Sequence, residues 1–336
     1  MTILKIESVQ ARPVSVPYVL VRVIARGTET HARMIEVTLS AQGRSGRGES
    51  HPTLRYDETE ETILAAIEAV RPHLQAGCSR QDLLTLMKPG PARNAIDCAF
   101  WDLEAKLSGR RAEDIAGIGD TKTVTTVYTL SLKPPAEMAE LAAKERDRPF
   151  LKVKLGHYDD DRARLEAIHR AAPNAKIIVD ANEGWTFEQT KEMARIAVDC
   201  GVVMLEQPMH ASRDEALKGW VSPVPMGADE SCHIRADLDR VIDRGYSFVN
   251  IKLDKSGGLT EALELAAAAK ARGLGLMVGC MSGTTLAMAP GFLVAQSCHF
   301  VDLDSPIFLP PEVAPEIAYD GSIIDWAPTR RWGSPD

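Results

Sequence analysis

From about residue 123 onward, short runs of apolar and β-branched residues recur, each followed by a turn and an amphipathic stretch. The runs are TVTTVYTLSL, FLKVKL, KIIVDAN, VVMLEQP, PVPMGAD, FVNIKL, LGLMVGC and HFVDLDSP. Between them apolar residues return at helical spacing, as in RARLEAIHRAAP and LTEALELAAAAKARG, the latter closed by Gly273. Strands that alternate with helices pair in parallel. Eight near-continuous apolar runs, each buried on both faces, predict a closed (β/α)8-type barrel, with an open doubly wound sheet as the alternative. The barrel is favoured because chemistry-bearing residues end nearly every run, where a barrel keeps its catalytic face.

Residues 1–120 follow a different rhythm. Alternating strands (ILKIESVQARPVSV, ARMIEVTLSAQGRSGRGES) come first, then helical patterns (DETEETILAAIEAVRPHL, RNAIDCAFWDLEAKLSG). This predicts an α+β domain joined to a barrel spanning 121–306. Trp101 falls on an amphipathic helix and is read as core. The Pro- and Gly-rich segment 307–336 is expected to pack back on the first domain as part of a cap.

The polar residues that interrupt the strands carry the chemistry. In FLKVKL, alternation sends Lys152 and Lys154 to one face of a buried strand, an expensive arrangement unless an anion faces them. Asp180, Glu206 and Asp229 end the third, fourth and fifth runs. They could cap the helices that follow. On three adjacent strands about 5 Å apart they would instead converge and require a cation, and few carboxylates with room for water or substrate suit Mg²⁺. Asn182 and Glu230 stand beside these ligands as supporting partners. Lys252 ends the sixth strand, four strands round the ring from Lys154. The two lysines would therefore face each other across the mouth, able to remove a proton from one side of a carbon and return it from the other. The alternative is that they merely offset the carboxylates. A carbon acid beside a carboxylate is weak, and a divalent ion would stabilise the enediolate formed on deprotonation. That ion, with Lys152, should lower the pKa of the neighbouring lysine. Lys152 would also contact the substrate carboxylate. Lys255 lies close by, but alternation from Asn250 favours Lys252, leaving Lys255 to support the turn at Gly257 and Gly258.

Composition narrows the setting. Lys and Arg total 39 against 47 Asp and Glu, a net charge of −8, and no basic run suggests a nucleic-acid surface. The opening residues lack the pattern of a secretory leader, no apolar run approaches a membrane span, and six scattered cysteines read as reduced thiols. A cytoplasmic location is expected. A homo-oligomer is compatible with the pattern.

The motifs KVK, DAN, EQP, ADES and NIKLDKSGG resemble those of the enolase superfamily, in its muconate-lactonizing subgroup, and the likeness extends over nearly the whole chain. Within it the sequence is most similar to the dipeptide epimerases, of the L-Ala-D/L-Glu type. That resemblance implies a modified (β/α)7β barrel under an α+β cap. It implies one Mg²⁺ on Asp180, Glu206 and Asp229, with Lys154 and Lys252 as the acid/base pair of a 1,1-proton transfer. Asp302 and Asp304 in VDLDSP match the strand-eight Asp-x-Asp that holds a substrate ammonium. Arg26 in ARGT matches the arginine of a mobile loop that faces a glutamate carboxylate. Thr129, Cys280 and Met281 are expected to line the substrate pocket.

The substrate expected on this basis is a dipeptide inverted at its C-terminal residue, with recycling of murein peptides as the implied setting. A cycloisomerase, an o-succinylbenzoate synthase or an N-acylamino-acid racemase would keep the site and change the reaction. Their substrates carry no free ammonium for Asp302 and Asp304. A non-catalytic barrel that binds anionic peptides would need no second lysine opposite the first.

Overall fold

The structure is a computed structural model that describes residues 2–24 and 27–335. Three antiparallel strands open the chain: β1 (Ser8–Ile24), β2 (Gly27–Ala41) and β3 (Arg44–Ser50). Gln42 and Gly43 join β2 to β3, both at positive φ, the conformation a tight hairpin needs to match strand twist. Helix Glu60–Ala76 begins at a capping box formed by Thr59 and Thr62 and buries Ile63, Ile67, Val70 and Leu74. Helix Pro91–Ser108 is buried on nearly all sides because it lies between the cap sheet and the barrel. Gly48 of β3 permits this approach, since a Cβ there would stand 2.1 Å from the Ala95 carbonyl oxygen. On the helix's far side Trp101 Nε1 donates to Thr260 Oγ1 at 3.0 Å, and Asp97 accepts from the same hydroxyl at 2.6 Å.

β4 (Val124–Thr125) precedes the barrel. The barrel strands are β5 (Tyr128–Leu130), β6 (Phe150–Lys154), β7 (Lys176–Asp180), β8 (Val202–Glu206), β9 (Met226–Ala228), β10 (Phe248–Lys252), β11 (Gly275–Gly279) and β12 (Phe300–Asp302). They stand side by side in chain order, every neighbouring pair parallel, as the eight apolar runs led us to expect. The ring closes through a parallel bridge between Thr126 and Val301, beside which Val127 N donates to Val301 O at 2.8 Å.

Alternation then sorts the side chains. Ile177, Val179, Leu205, Val249, Ile251 and Val278 pack outward under the helices. Inside, Phe150, Phe248 and Phe300 close the floor with centroids 5.4 and 5.9 Å apart, and Ile178, Met204 and Met277 cluster with Val127. Above this apolar plug the inward positions become polar, and there the carboxylates and lysines meet. The closing strands β13 (Ile317–Asp320) and β14 (Ile323–Trp326) form a hairpin that pairs with β4. The C-terminal residues also reach the cap side: Trp332 Nε1 donates to Cys98 O at 3.2 Å, and Arg330 pairs with Glu113 at 2.7 Å. Among the described residues no helix is long and apolar enough to cross a membrane.

Candidate active site

Asp180 and Glu206 are the last residues of β7 and β8, paired in register, and Asp229 follows β9 directly. All three are buried, and one oxygen from each lies within 4.8 Å of the others. Lys154 Nζ sits 2.6 Å from Asp180 Oδ2, and Lys252 Nζ sits 2.6 Å from Asp229 Oδ2. The lysines thus hold the two ends of the acidic arc, with Glu206 between. Asn250, one alternation below Lys252, donates from Nδ2 to Glu206 Oε1 at 2.7 Å. Asn182 donates its backbone N–H to Asp180 Oδ1 at 2.9 Å from a left-handed turn with φ 45°. Glu230 is buried and adds its charge to those around Lys252.

Lys152 is engaged more fully than the sequence suggested. Its ammonium, 1% exposed, lies 2.7 Å from Asp302, 2.9 Å from Glu206 and 3.2 Å from Asp180. One ammonium reaching both Asp302 and Glu206 ties strand eight to the acidic arc. Asp304 accepts a 2.7 Å hydrogen bond from Thr129 N. Cys280, Met281, Thr129, Asp302 and Asp304 share the wall of a cavity of about 680 Å³ with the three lysines and with residues 27–33 and 51–55 of the cap. Arg26 lies outside the described residues.

The electrostatics follow from burial and charge count. Burial works against the ammonium of Lys152, but Asp302, Glu206 and Asp180 outweigh it and hold its pKa well above the usual value. Lys252 is raised as well: burial opposes its charge and Asp229 prevails. Glu206 is pushed up to about 7, by burial first and by the charge of Asp180 next. Asp229 is held low because Lys252 and Lys255 outweigh its burial. Glu206 Oε2 faces the Lys152 ammonium at 2.9 Å and Asp229 Oδ1 faces that of Lys255 at 2.7 Å. A buried triad of hard oxygen donors, with one atom of each within 4.8 Å of the others, fits a divalent cation.

Room for these groups depends on Gly279, where β11 meets β10. A Cβ at that position would stand 2.6 Å from Asn250 Oδ1 and 3.0 Å from Lys252 Cε. Gly279→Ala should therefore lower kcat on the order of 10–100-fold by displacing Lys252, with little change in thermal stability. Steady-state kinetics beside a melting curve will check it, and unchanged kcat would refute the crowding argument.

The family model described as enolase C-terminal domain-like matches residues 136–316. The L-Ala-D/L-Glu epimerase of Escherichia coli (strain K12) is 41% identical over 312 residues, covering 92% of this chain and 95% of that protein. The chain belongs to the enolase superfamily. Another member, the N-acetyl-D-glutamate racemase of a Pseudoalteromonas species, is also 41% identical, over 286 residues, covering 82% of this chain and 87% of that one. A solved member from Agrobacterium tumefaciens, with homology to dipeptide epimerases and bound to sodium and L-Ala-L-Glu, superposes with TM-score 0.93 at 44% identity. It covers 96% of this chain and 99% of its own. Dipeptide epimerases from Cytophaga hutchinsonii and Enterococcus faecalis, each 26% identical, are complexed with Mg and a dipeptide.

Two buried partners in this superfamily member escaped the sequence reading. Asn250 shares the inward face of β10 with Lys252, so alternation alone could have flagged it. Lys255 was assigned to a turn, yet its ammonium points inward and touches Asp229. It follows the end of β10, beyond the reach of strand periodicity.

Proposed function

We propose that this isomerase is a Mg²⁺-dependent epimerase of dipeptides, inverting the α-carbon of the C-terminal residue, with L-Ala-D/L-Glu as the favoured substrate. The observation that carries the reading is the pair of lysines at opposite ends of one buried acidic triad. In this reading Asp180, Glu206 and Asp229 hold the cation. Its charge, once bound, favours ionisation of a carbon acid beside a carboxylate. Lys154 and Lys252 each exchange a proton with one face of the α-carbon. Lys152 bridges Asp302 and Glu206, offsetting their mutual repulsion, and adds positive charge near the substrate carboxylate. Asp304 and Asp302 take the substrate ammonium, Thr129, Cys280 and Met281 shape the wall, and Arg26 pairs with an acidic second side chain. Residues 1–120 with 307–336 form the cap and residues 121–306 the catalytic barrel of a cytoplasmic enzyme that serves murein-peptide recycling.

One observation favours a second reading, racemization of N-acylated glutamates. Asp302 already has Lys152 as a partner, so its charge does not require a substrate ammonium. A panel of dipeptides and N-acylglutamates incubated in D₂O with Mg²⁺, followed by mass spectrometry, separates the two. The dipeptide reading expects L-Ala-L-Glu to gain deuterium at its glutamyl α-carbon faster than N-acetylglutamate. Asp304→Asn should lower kcat/KM at least tenfold for dipeptides and little for N-acyl substrates, since charge-assisted contacts are about twice as strong as neutral ones. A wild-type preference for N-acyl substrates would overturn the dipeptide reading.

A further inference from the structure

Parallel pairing between β9 and β10 runs through Gly227 with Phe248 and Ala228 with Val249, and there it stops. Continued by one step, the register would pair Asp229 with Asn250. The Nζ of Lys255 accepts the role of that missing rung. It donates to the carbonyl oxygen of Asp229 and, at 3.0 Å, to that of Asn250. A third hydrogen bond, at 2.8 Å, goes to Cys232 O, and Asp229 Oδ1 lies 2.7 Å away. The other edge of β10 needs no such tie, because its ladder with β11 continues through Lys252 and Gly279.

We propose that Lys255 is a positioning residue for the Lys252 half of the reaction, fixing the main chain of Asp229 against β10 so that Asp229 meets Lys252. This rests on the two-lysine reading above. The ammonium is 2% exposed and engages three main-chain carbonyls, so it is a cross-link rather than a proton carrier facing the cavity. Its own backbone is held from the cap. Arg93 donates to Ser256 O at 2.6 Å and to Gly257 O at 3.0 Å, and Asn94 donates to Asp254 Oδ1 at 2.8 Å. Gly257 adopts φ 76°, which turns the chain back immediately after the cross-link.

The asymmetry is what makes the role testable. Lys154 is attached to Asp180 on the other side of the arc, where β6 and β7 remain paired through Lys154 and Asp180 themselves. Loss of Lys255 should therefore disturb one face of the α-carbon and spare the other. A displacement of about 1 Å at a catalytic group costs roughly 10²-fold in rate.

The experiment is face-resolved hydrogen exchange. L-Ala-L-Glu and L-Ala-D-Glu are incubated separately in D₂O with saturating Mg²⁺, and α-deuterium in recovered substrate is followed for the wild type, Lys154→Ala, Lys252→Ala, Lys255→Met and Lys255→Gln. The two single-base variants assign one isomer to each lysine. Lys255→Met is expected to slow exchange of the Lys252-assigned isomer about 100-fold and that of the other isomer less than about fivefold. Lys255→Gln, which keeps donors for two of the carbonyls, should recover part of the loss. Equal losses on both faces, no loss on either, or failure of both Lys255 variants to fold would overturn the proposal and leave Lys255 a structural residue. Failure of Lys154→Ala and Lys252→Ala to divide the isomers between them would refute the two-lysine reading instead.

Discussion

Replacing either lysine, Lys154→Ala or Lys252→Ala, is expected to lower epimerization in both directions by about 10²–10⁴-fold, the range a positioned acid or base contributes. Inversion needs both, because a proton removed from one face must be delivered to the other. Each ammonium sits on its own carboxylate, Asp180 or Asp229, so neither can readily substitute for its partner. Each variant should nonetheless exchange the α-proton of one stereoisomer through the lysine that remains. A buried charge left without its partner destabilises the fold, so the assay belongs in saturating Mg²⁺, with a melting curve to show that the variant is folded. Wild-type epimerization by either variant would remove the two-base reading.

Removal of the metal should have the next largest effect. Chelation is expected to abolish turnover, and Glu206→Gln should weaken Mg²⁺ binding by more than about 100-fold, given that loss of an outer partner of a ligand already costs about 10–100-fold. Glu206 is the informative position because it is the most frustrated of the three carboxylates. Burial and the neighbouring Asp180 push its pKa up to about 7, while its flanking ligands are held low by lysines. A cation relieves this repulsion, whereas an amide in place of the carboxylate removes both the repulsion and the ligand. Titration calorimetry with Mg²⁺ measures the affinity directly, and full turnover in excess chelator would exclude a metal-dependent reaction.

Much of the site was legible because strand periodicity is a local property. Lys152 and Lys154 had to share a face, as did Asn250 and Lys252, and carboxylates ending consecutive parallel strands had to converge. The order of strands in the ring followed from the order of runs in the chain. Side-chain partners were less legible wherever they depended on how far a flexible group reaches. Lys152 was placed on the correct face, yet nothing local disclosed that its ammonium would bridge Asp302, Glu206 and Asp180.

What the sequence determined by itself was the eight-stranded parallel architecture and the inward set of lysines and carboxylates, since both rest on spacing along the chain. Only the tertiary structure decided which charges meet. Lys255 sits in the short helix Leu253–Ser256 that ends at Gly257, and its side chain reaches back to the main-chain carbonyls of Asp229, Cys232 and Asn250, which the fold gathers where the ladder between β9 and β10 stops. Asp302 took Lys152 as a partner because the narrow barrel mouth puts strand eight within reach of an ammonium from strand two. Such contacts join residues far apart in the chain, and their geometry exists only once the ring has closed.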